Sequence, residues 1–256
     1  MESLRIVVPS RKRVNNMRRL LGLIPEALVC VAREELSAYA QAVPKRQLLG
    51  HDVSGGLPAI RDWINETIQE DCLVMIDDDL QCVRALTKPR GNRRITDPVV
   101  LGQIIENSAR VAADLDIGVF CWTRTMNRLL LDPLVIPFKP VQPMSSSFGL
   151  RGPARQRRFD SGLLARADVD FTMRTLRDDR LLLCDCRFYF DHGRIFSGSG
   201  GQVGLVDSAS FDAATKELER RWGKFLSLKP PNYSKTGRYV AACGIRVIRC
   251  NPLCKE

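Results

Sequence analysis

Three consecutive carboxylates, Asp77, Asp78 and Asp79, follow the apolar run Cys72 to Ile76 in the stretch "CLVMIDDD". A short apolar run bounded in this way reads as a buried strand, and open α/β sheets bind ligands just beyond the carboxyl ends of their strands. In an extended backbone Asp77 and Asp79 project to the same side, so the two can share one cation while Asp78 points elsewhere. Hard divalent ions such as Mg2+ and Mn2+ suit that arrangement, taking one or two carboxylates, waters and diphosphate oxygens. A cluster of solvated capping residues is the plainer alternative. Mutual repulsion of three unpaired carboxylates weighs against it unless something cationic sits there.

Two further acids, Asp168 and Asp170, stand in "ADVDF" at the start of a helical pattern, where capping and compensation of the helix dipole are their ordinary roles. His192, in "YFDHGR", is one of only two histidines and ends an apolar strand; a partly buried structural histidine is the plain reading. His51 ends another strand and has no evident partner. Basic residues gather twice: Arg84, Lys88, Arg90, Arg93 and Arg94 follow the acidic turn, and Arg151, Arg155, Arg157 and Arg158 precede Asp168. "FSGSGGQVGL" is a glycine-rich loop that could close as a lid, but it lacks the spacing and helix start of a phosphate-binding fingerprint.

The elements that must position these residues alternate through the first half of the chain, which predicts a parallel sheet. Strands are expected at Leu4 to Pro9, Ala27 to Ala32, Gln47 to Val53 and Cys72 to Ile76, with helices at Asn15 to Leu23, at Glu34 to Ala42 and in "SGGLPAIRDWINETIQ". Asp97 and Pro98 read as cap and first residue of a helix running to Asp114, followed by a strand at Ile117 to Trp122. "RALTKPRGNRRITDP" reads as a loop. The stretch from Asp132 to Asp160 reads as extended and irregular, because five prolines exclude a long helix. Further on, a helix is expected at Asp168 to Thr175, a strand at Leu181 to Phe190, a helix at Phe211 to Phe225 and a strand at Tyr239 to Arg249.

At 256 residues the chain can bury a full core, and one domain spanning 1–256 is expected. Lys and Arg number 39 against 29 Asp and Glu, a formal charge of +10, so a polyanion is a plausible partner beside the reading of charge as solubility. The start "MESLRIVVPSRKR" is a short strand ending in charge, and no run approaches the ~20 apolar residues of a membrane span. The expectation is a cytoplasmic protein with no membrane association and no obligatory protein partner. Nine cysteines, most of them in apolar runs, fit reduced thiols; Cys184 with Cys186 and Cys250 with Cys254 are poor zinc pairs in a chain so short of histidine.

The order of "VVPSRKR", "GLPAIRDWINE", "LVMIDDD" and "ADVDF" resembles the GT-A fold glycosyltransferases, and within them most closely the TET-associated glycosyltransferases of tailed phages, over most of residues 4 to 195. The resemblance implies an α/β, Rossmann-like, mostly parallel central sheet flanked by helices, with a nucleotide-sugar-binding half at 1–125 and a C-terminal acceptor-side elaboration at 126–256. It implies a hexosyl- or pentosyltransferase that uses Mn2+ or Mg2+ and a nucleoside diphosphate sugar, UDP-linked for preference. The acceptor would be a hydroxyl on a modified pyrimidine such as 5-hydroxymethylcytosine in DNA, in the host cytoplasm if phage-encoded. Carried onto this chain, Pro9, Ser10, Arg11, Arg13, Arg61, Asp77 and Asp78 would border the donor. Asp77, Asp79 and His192 would hold the metal, and Asp168, with Asp170 as neighbour, would supply the general base. Ala167 stands where the family motif has Glu, which leaves the choice between the two acids open.

Arg90, Arg93, Arg94, Arg155, Arg157 and Arg158 would contact DNA phosphates. Phe148, Trp122 and Phe159 could stack on an extruded base, although core packing is the better reading of each. Competing functions are a nucleotidyltransferase, whose first turn would need a glycine that "VVPSRKRVNN" lacks, a glycosyltransferase of a non-DNA acceptor, and a non-catalytic nucleic-acid-binding protein.

Overall fold

The computed structural model describes residues 2–87, 92–126, 133–192, 201–202, 205–228, 232–233, 239–240 and 243–245. The strands are β1 (Leu4–Pro9), β2 (Leu28–Ala32), β3 (Leu48–His51), β4 (Cys72–Ile76), β5 (Cys82–Ala85), β6 (Arg93–Ile95), β7 (Val119–Thr123), β8 (Phe138–Lys139), β9 (Ser147–Arg151) and β10 (Leu183–Asp191). Four short strands follow: β11 (Leu226–Leu228), β12 (Asn232–Tyr233), β13 (Tyr239–Val240) and β14 (Cys243–Ile245). The helices are α1 (Val14–Leu23), α2 (Leu36–Tyr39), α3 (Gly56–Thr67), α4 (Pro98–Asp114), α5 (Ala167–Asp178) and α6 (Ser208–Trp222).

The first ten strands form one sheet in the order β3-β2-β1-β4-β9-β7-β10-β5-β6, with β8 beside β10. The pairs β3–β2, β2–β1, β1–β4 and β7–β10 are parallel, whereas β9 runs antiparallel to both of its neighbours. Both faces are covered, and the pleat decides which residue goes where. Cys72, Val74 and Ile76 of β4 pack on one side with Met17 and Leu20 of α1 and Leu101 and Ile105 of α4. Leu73 and Met75 pack on the other with Ile64 of α3 and Phe171 of α5. Burial on both sides is why these strands read as continuous apolar runs rather than alternating ones.

Three expectations are corrected. The supposed loop after the acidic turn is a hairpin, in which β5 pairs antiparallel with β6 and with β10. The supposed irregular stretch contributes β9, a central strand buried throughout. Gly149 explains why the pattern misled: a Cβ there would lie 2.0 Å from Cζ of Phe120 on β7, so only glycine fits beneath that ring. The segment expected as one last strand instead supplies β13 and β14, which belong to two separate two-stranded sheets. Elsewhere α4 starts as expected, with Asp97 accepting hydrogen bonds from the amides of Val99 at 2.9 Å and Val100 at 3.4 Å. No helix among the described residues is long and apolar enough to cross a membrane.

Candidate active site

Parallel strands β1 and β4 end side by side, which brings the turn after Pro9 against the acidic turn after Ile76. Antiparallel β9 begins next to Ile76, at Ser147, and β10 ends opposite Cys82, which delivers His192 to the same place. These four strand ends enclose a cavity of about 370 Å3. Pro9, Ser10, Arg11, Arg13, Arg61, Asp77, Asp78, Asp79, Asp168 and His192 all line it.

Asp77 accepts a hydrogen bond from Nη2 of Arg61 at 3.0 Å. Arg61 is buried on α3 and lies over the rings of Phe148 at 5.2 Å and Phe159 at 5.6 Å. Its Nε has no hydrogen-bond partner, so the residue retains donor capacity in a low-dielectric place. Asp78 is buried and already engaged, accepting from Ser10 Oγ at 2.6 Å and from Arg13 Nη1 at 2.7 Å. Tyr39 closes that network: its hydroxyl lies 2.7 Å from Ser10 Oγ and accepts the Arg13 amide at 2.9 Å. Asp79 receives Nδ1 of His192 at 2.9 Å and lies 3.5 Å from Arg13.

Burial pushes the carboxyl of Asp77 above the ordinary range, against the pull of Arg61, and the charge of Asp79 adds to the push. Burial likewise raises Asp78, with Ser10 and Arg13 pulling the other way. A carboxyl that burial holds up, as it does Asp77, suits a divalent cation, which reverses that penalty. The donor set fits a hard ion: Asp77 and Asp79 offer carboxylate oxygens, and His192 orients Asp79 through Nδ1. Among the described residues no three His, Cys, Asp or Glu converge as a ready cage, so the expected three-residue metal set is not pre-assembled. Mg2+ and Mn2+ tolerate this, because substrate phosphates and waters complete their shells.

Asp168 and Asp170 part company. Asp168, in the first turn of α5, lines the cavity with Arg124 at 3.8 Å. Asp170 does not line it. That side chain is fully buried and accepts from Arg174 at 2.8 Å, Trp222 Nε1 at 2.9 Å and Arg221 at 3.3 Å, tying α5 to α6.

The second basic cluster is engaged within the chain at Arg155 and Arg157, while Arg158 stays exposed in a surface pair with Glu66. Arg155 donates to Asn65 and to the Ile68 carbonyl, closing the end of α3. Arg157 holds Asp179 at 2.9 Å and Thr175 at 2.9 Å, and Arg158 lies 2.5 Å from Glu66. Arg93 and Arg94 are exposed on β6, and Arg90 and most of the glycine-rich loop lie outside the described residues. Trp122, Phe148 and Phe159 are core residues. Cys30, Cys72, Cys82, Cys121, Cys184 and Cys186 are buried free thiols. Sequence reasoning missed Tyr39, Arg124 and Ser147. Arg124 alone carried a visible signal, as a charge directly after an apolar strand.

Residues 4–201 match the family described as TET-Associated Glycosyltransferase. Glucosyl-3-phosphoglycerate synthase from Mycobacterium tuberculosis, in complex with Mg2+ and UDP, superimposes with a TM-score of 0.51 at 13% identity, covering 96% of this chain and 88% of that one. The same enzyme with Mn2+, UDP-glucose and phosphoglyceric acid gives 0.52 at 14% identity, covering 89% and 84%. A crystal structure described only as a mycobacterial protein gives 0.51 at 11% identity, covering 96% and 85%. At such identities the likeness establishes the fold, the GT-A type of α/β sheet. A search of the curated proteins found no match.

Proposed function

The chain belongs to the TET-associated glycosyltransferase family and is a glycosyltransferase, and we propose that it moves a sugar from a nucleoside diphosphate sugar to a hydroxyl on a modified pyrimidine in DNA, assisted by Mn2+ or Mg2+. The observation that carries this reading is the meeting, in one cavity, of the acidic turn, Arg13 and Arg61 with Asp168. The complexes of the mycobacterial synthase with UDP and Mg2+, and with UDP-glucose and Mn2+, support the donor and the metal by analogy of fold.

In this reading Asp77 and Asp79, with His192 beside them, hold the ion, which supplies positive charge where the diphosphate leaves. Arg61 adds a fixed donor, and the Ser10, Tyr39 and Asp78 network fixes Arg13 and the first turn around the nucleotide. Asp168 takes the proton of the acceptor hydroxyl as its oxygen attacks the anomeric carbon. Asp170 keeps the helix carrying Asp168 in place.

The engagement of Arg155 and Arg157 narrows the basic surface and favours a second reading, an acceptor other than DNA. Both are tested by offering a panel of nucleotide sugars with Mn2+, together with unmodified and 5-hydroxymethylated DNA, and looking for mass gain on the base. Gain on the hydroxymethylated base alone supports the DNA reading. Transfer only to a small molecule or protein refutes it.

A further inference from the structure

Four arginines line the cavity, and three of them are committed. Arg13 donates to Asp78 at 2.7 Å, Arg61 to Asp77 at 3.0 Å and Arg11 to the Gly201 carbonyl at 3.1 Å. The fourth, Arg124, follows the last residue of β7 and reaches only to 3.8 Å from Oδ2 of Asp168, too long for a hydrogen bond. Its side chain is 35% exposed, against 13% for Arg13 and 7% for Arg61. Among the described residues Asp168 is its only ion-pair partner, and its guanidinium faces the cavity with its donors in reserve. Two residues on, Met126 receives Nδ2 of Asn92 at 3.6 Å, so the loop that carries Arg124 abuts the hairpin with exposed Arg93 and Arg94.

We propose that Arg124 is the receptor for an acceptor phosphate, and that it restrains Asp168 until a phosphate-bearing acceptor draws it away. The proposal rests on Asp168 as the base. A guanidinium binds phosphate through two parallel hydrogen bonds, which a single contact at 3.8 Å to a carboxylate does not match. Once Arg124 turns to phosphate, Asp168 Oδ2 is open to the acceptor hydroxyl. The acceptor oxygen then bonds to the anomeric carbon, the bond from that carbon to the diphosphate oxygen breaks with its electron pair, and the proton passes to Asp168. Without acceptor, Arg124 stands 3.8 Å from the oxygen that would take a proton from water and crowds the approach to it, so wasteful hydrolysis of the donor is suppressed. The restraint and the acceptor site are then one residue.

The test compares wild type, Arg124→Ala, Arg124→Lys and Asp168→Asn with Mn2+ and a nucleoside diphosphate sugar. Hydrolysis is read without acceptor, and transfer is read to 5-hydroxymethylcytosine oligonucleotides with ordinary or methylphosphonate linkages. Arg124→Ala should raise acceptor KM on the ordinary oligonucleotide roughly tenfold, the loss of one charged contact, and raise hydrolysis several-fold. Its KM on the neutral oligonucleotide should match wild type, and Arg124→Lys should fall between. A parallel fall in hydrolysis and transfer with KM unchanged, alongside an inactive Asp168→Asn, overturns the proposal and leaves the base assignment standing. Full turnover by Asp168→Asn overturns both.

Discussion

His192 joins Asp79 to Ser147. Its Nδ1 lies 2.9 Å from Asp79 Oδ1 and its Nε2 lies 2.8 Å from Ser147 Oγ, across 113 and 45 residues of sequence. A carboxylate oxygen accepts, so Nδ1 donates, and in the neutral ring Nε2 accepts the serine hydroxyl. The imidazole therefore holds Asp79 in orientation from a strand end, while β9 holds the imidazole.

That relationship predicts graded effects on metal use. Asp77→Asn and Asp79→Asn should each abolish Mn2+-dependent transfer, since an amide replaces a hard anionic ligand poorly. His192→Ala should weaken Mn2+ about 10- to 100-fold, and Ser147→Ala less, in keeping with groups that orient ligands. The check is the rise in melting temperature with Mn2+ and a nucleoside diphosphate, which reports binding to the native state alone. Full activity of both aspartate variants at saturating Mn2+ would refute the metal assignment.

Asp168 and Asp170, two residues apart, should separate activity from stability. Asp170→Ala leaves Arg174, Arg221 and Trp222 without their buried acceptor, and breaking such a cluster typically costs about 3–5 kcal/mol. Asp168→Asn, at a cavity wall, should leave the melting temperature nearly unchanged and lower kcat far more than donor affinity. Equal melting temperatures for the two variants would refute the division of roles.

The chain announced some of this and concealed the rest for physical reasons. β1, β4 and α4 begin or end at residues whose chemistry is local: Pro9 and the charged turn, the acidic run, and the Asp97 cap with Pro98. The acidic turn was legible because three adjacent carboxylates are costly without a cation. β9 was not, because its glycine answers to Phe120, 29 positions away in the chain, and no local pattern encodes that contact. The basic cluster before Asp168 misled for a similar reason. Arginines look alike in sequence whether they face water or, like Arg155, close a helix end.

Gly149→Ala tests the β9 argument. The added Cβ would lie within 2.6 Å of three carbons of the Phe120 ring, between two central strands that cannot part. Overpacking of this kind costs about 1–3 kcal/mol or more, so the melting temperature should fall by several degrees. An unchanged melting temperature would show that the ring moves freely.

Salt dependence separates the two basic clusters. If DNA is held by its phosphates, log affinity should fall with log salt at roughly −0.9 per contact. Neutralising Arg93 and Arg94 should then flatten the slope by about 2 units and leave donor hydrolysis intact. Arg157→Gln should leave the slope alone and lower stability instead, because its guanidinium is committed to Asp179 and Thr175. A slope that answers to Arg157 and ignores Arg93 and Arg94 would relocate the DNA surface.

Hydrogen bonds from Arg220 and Arg221 hold Glu217 down at about 2, below its ordinary 4.5. For Asp160, burial pushes upward, but the hydrogen bonds from Arg221 and the Gly162 amide outweigh it and leave the carboxyl lowered. A carboxyl depressed in the folded state binds its proton more weakly there than in the unfolded chain, so it adds stability above its unfolded value. That contribution is lost as pH falls toward its folded value. For Glu217 the window runs from 4.5 down to about 2. Arg221 also touches Asp170, so Glu217 helps to orient an arginine that ties α6 to the helix that carries Asp168. Glu217→Gln should therefore melt below wild type at about pH 6, and the gap should close as pH falls through that window. Thermal melts of both proteins across the range decide it: a gap that stays constant would show that the charge on Glu217 contributes nothing to the fold.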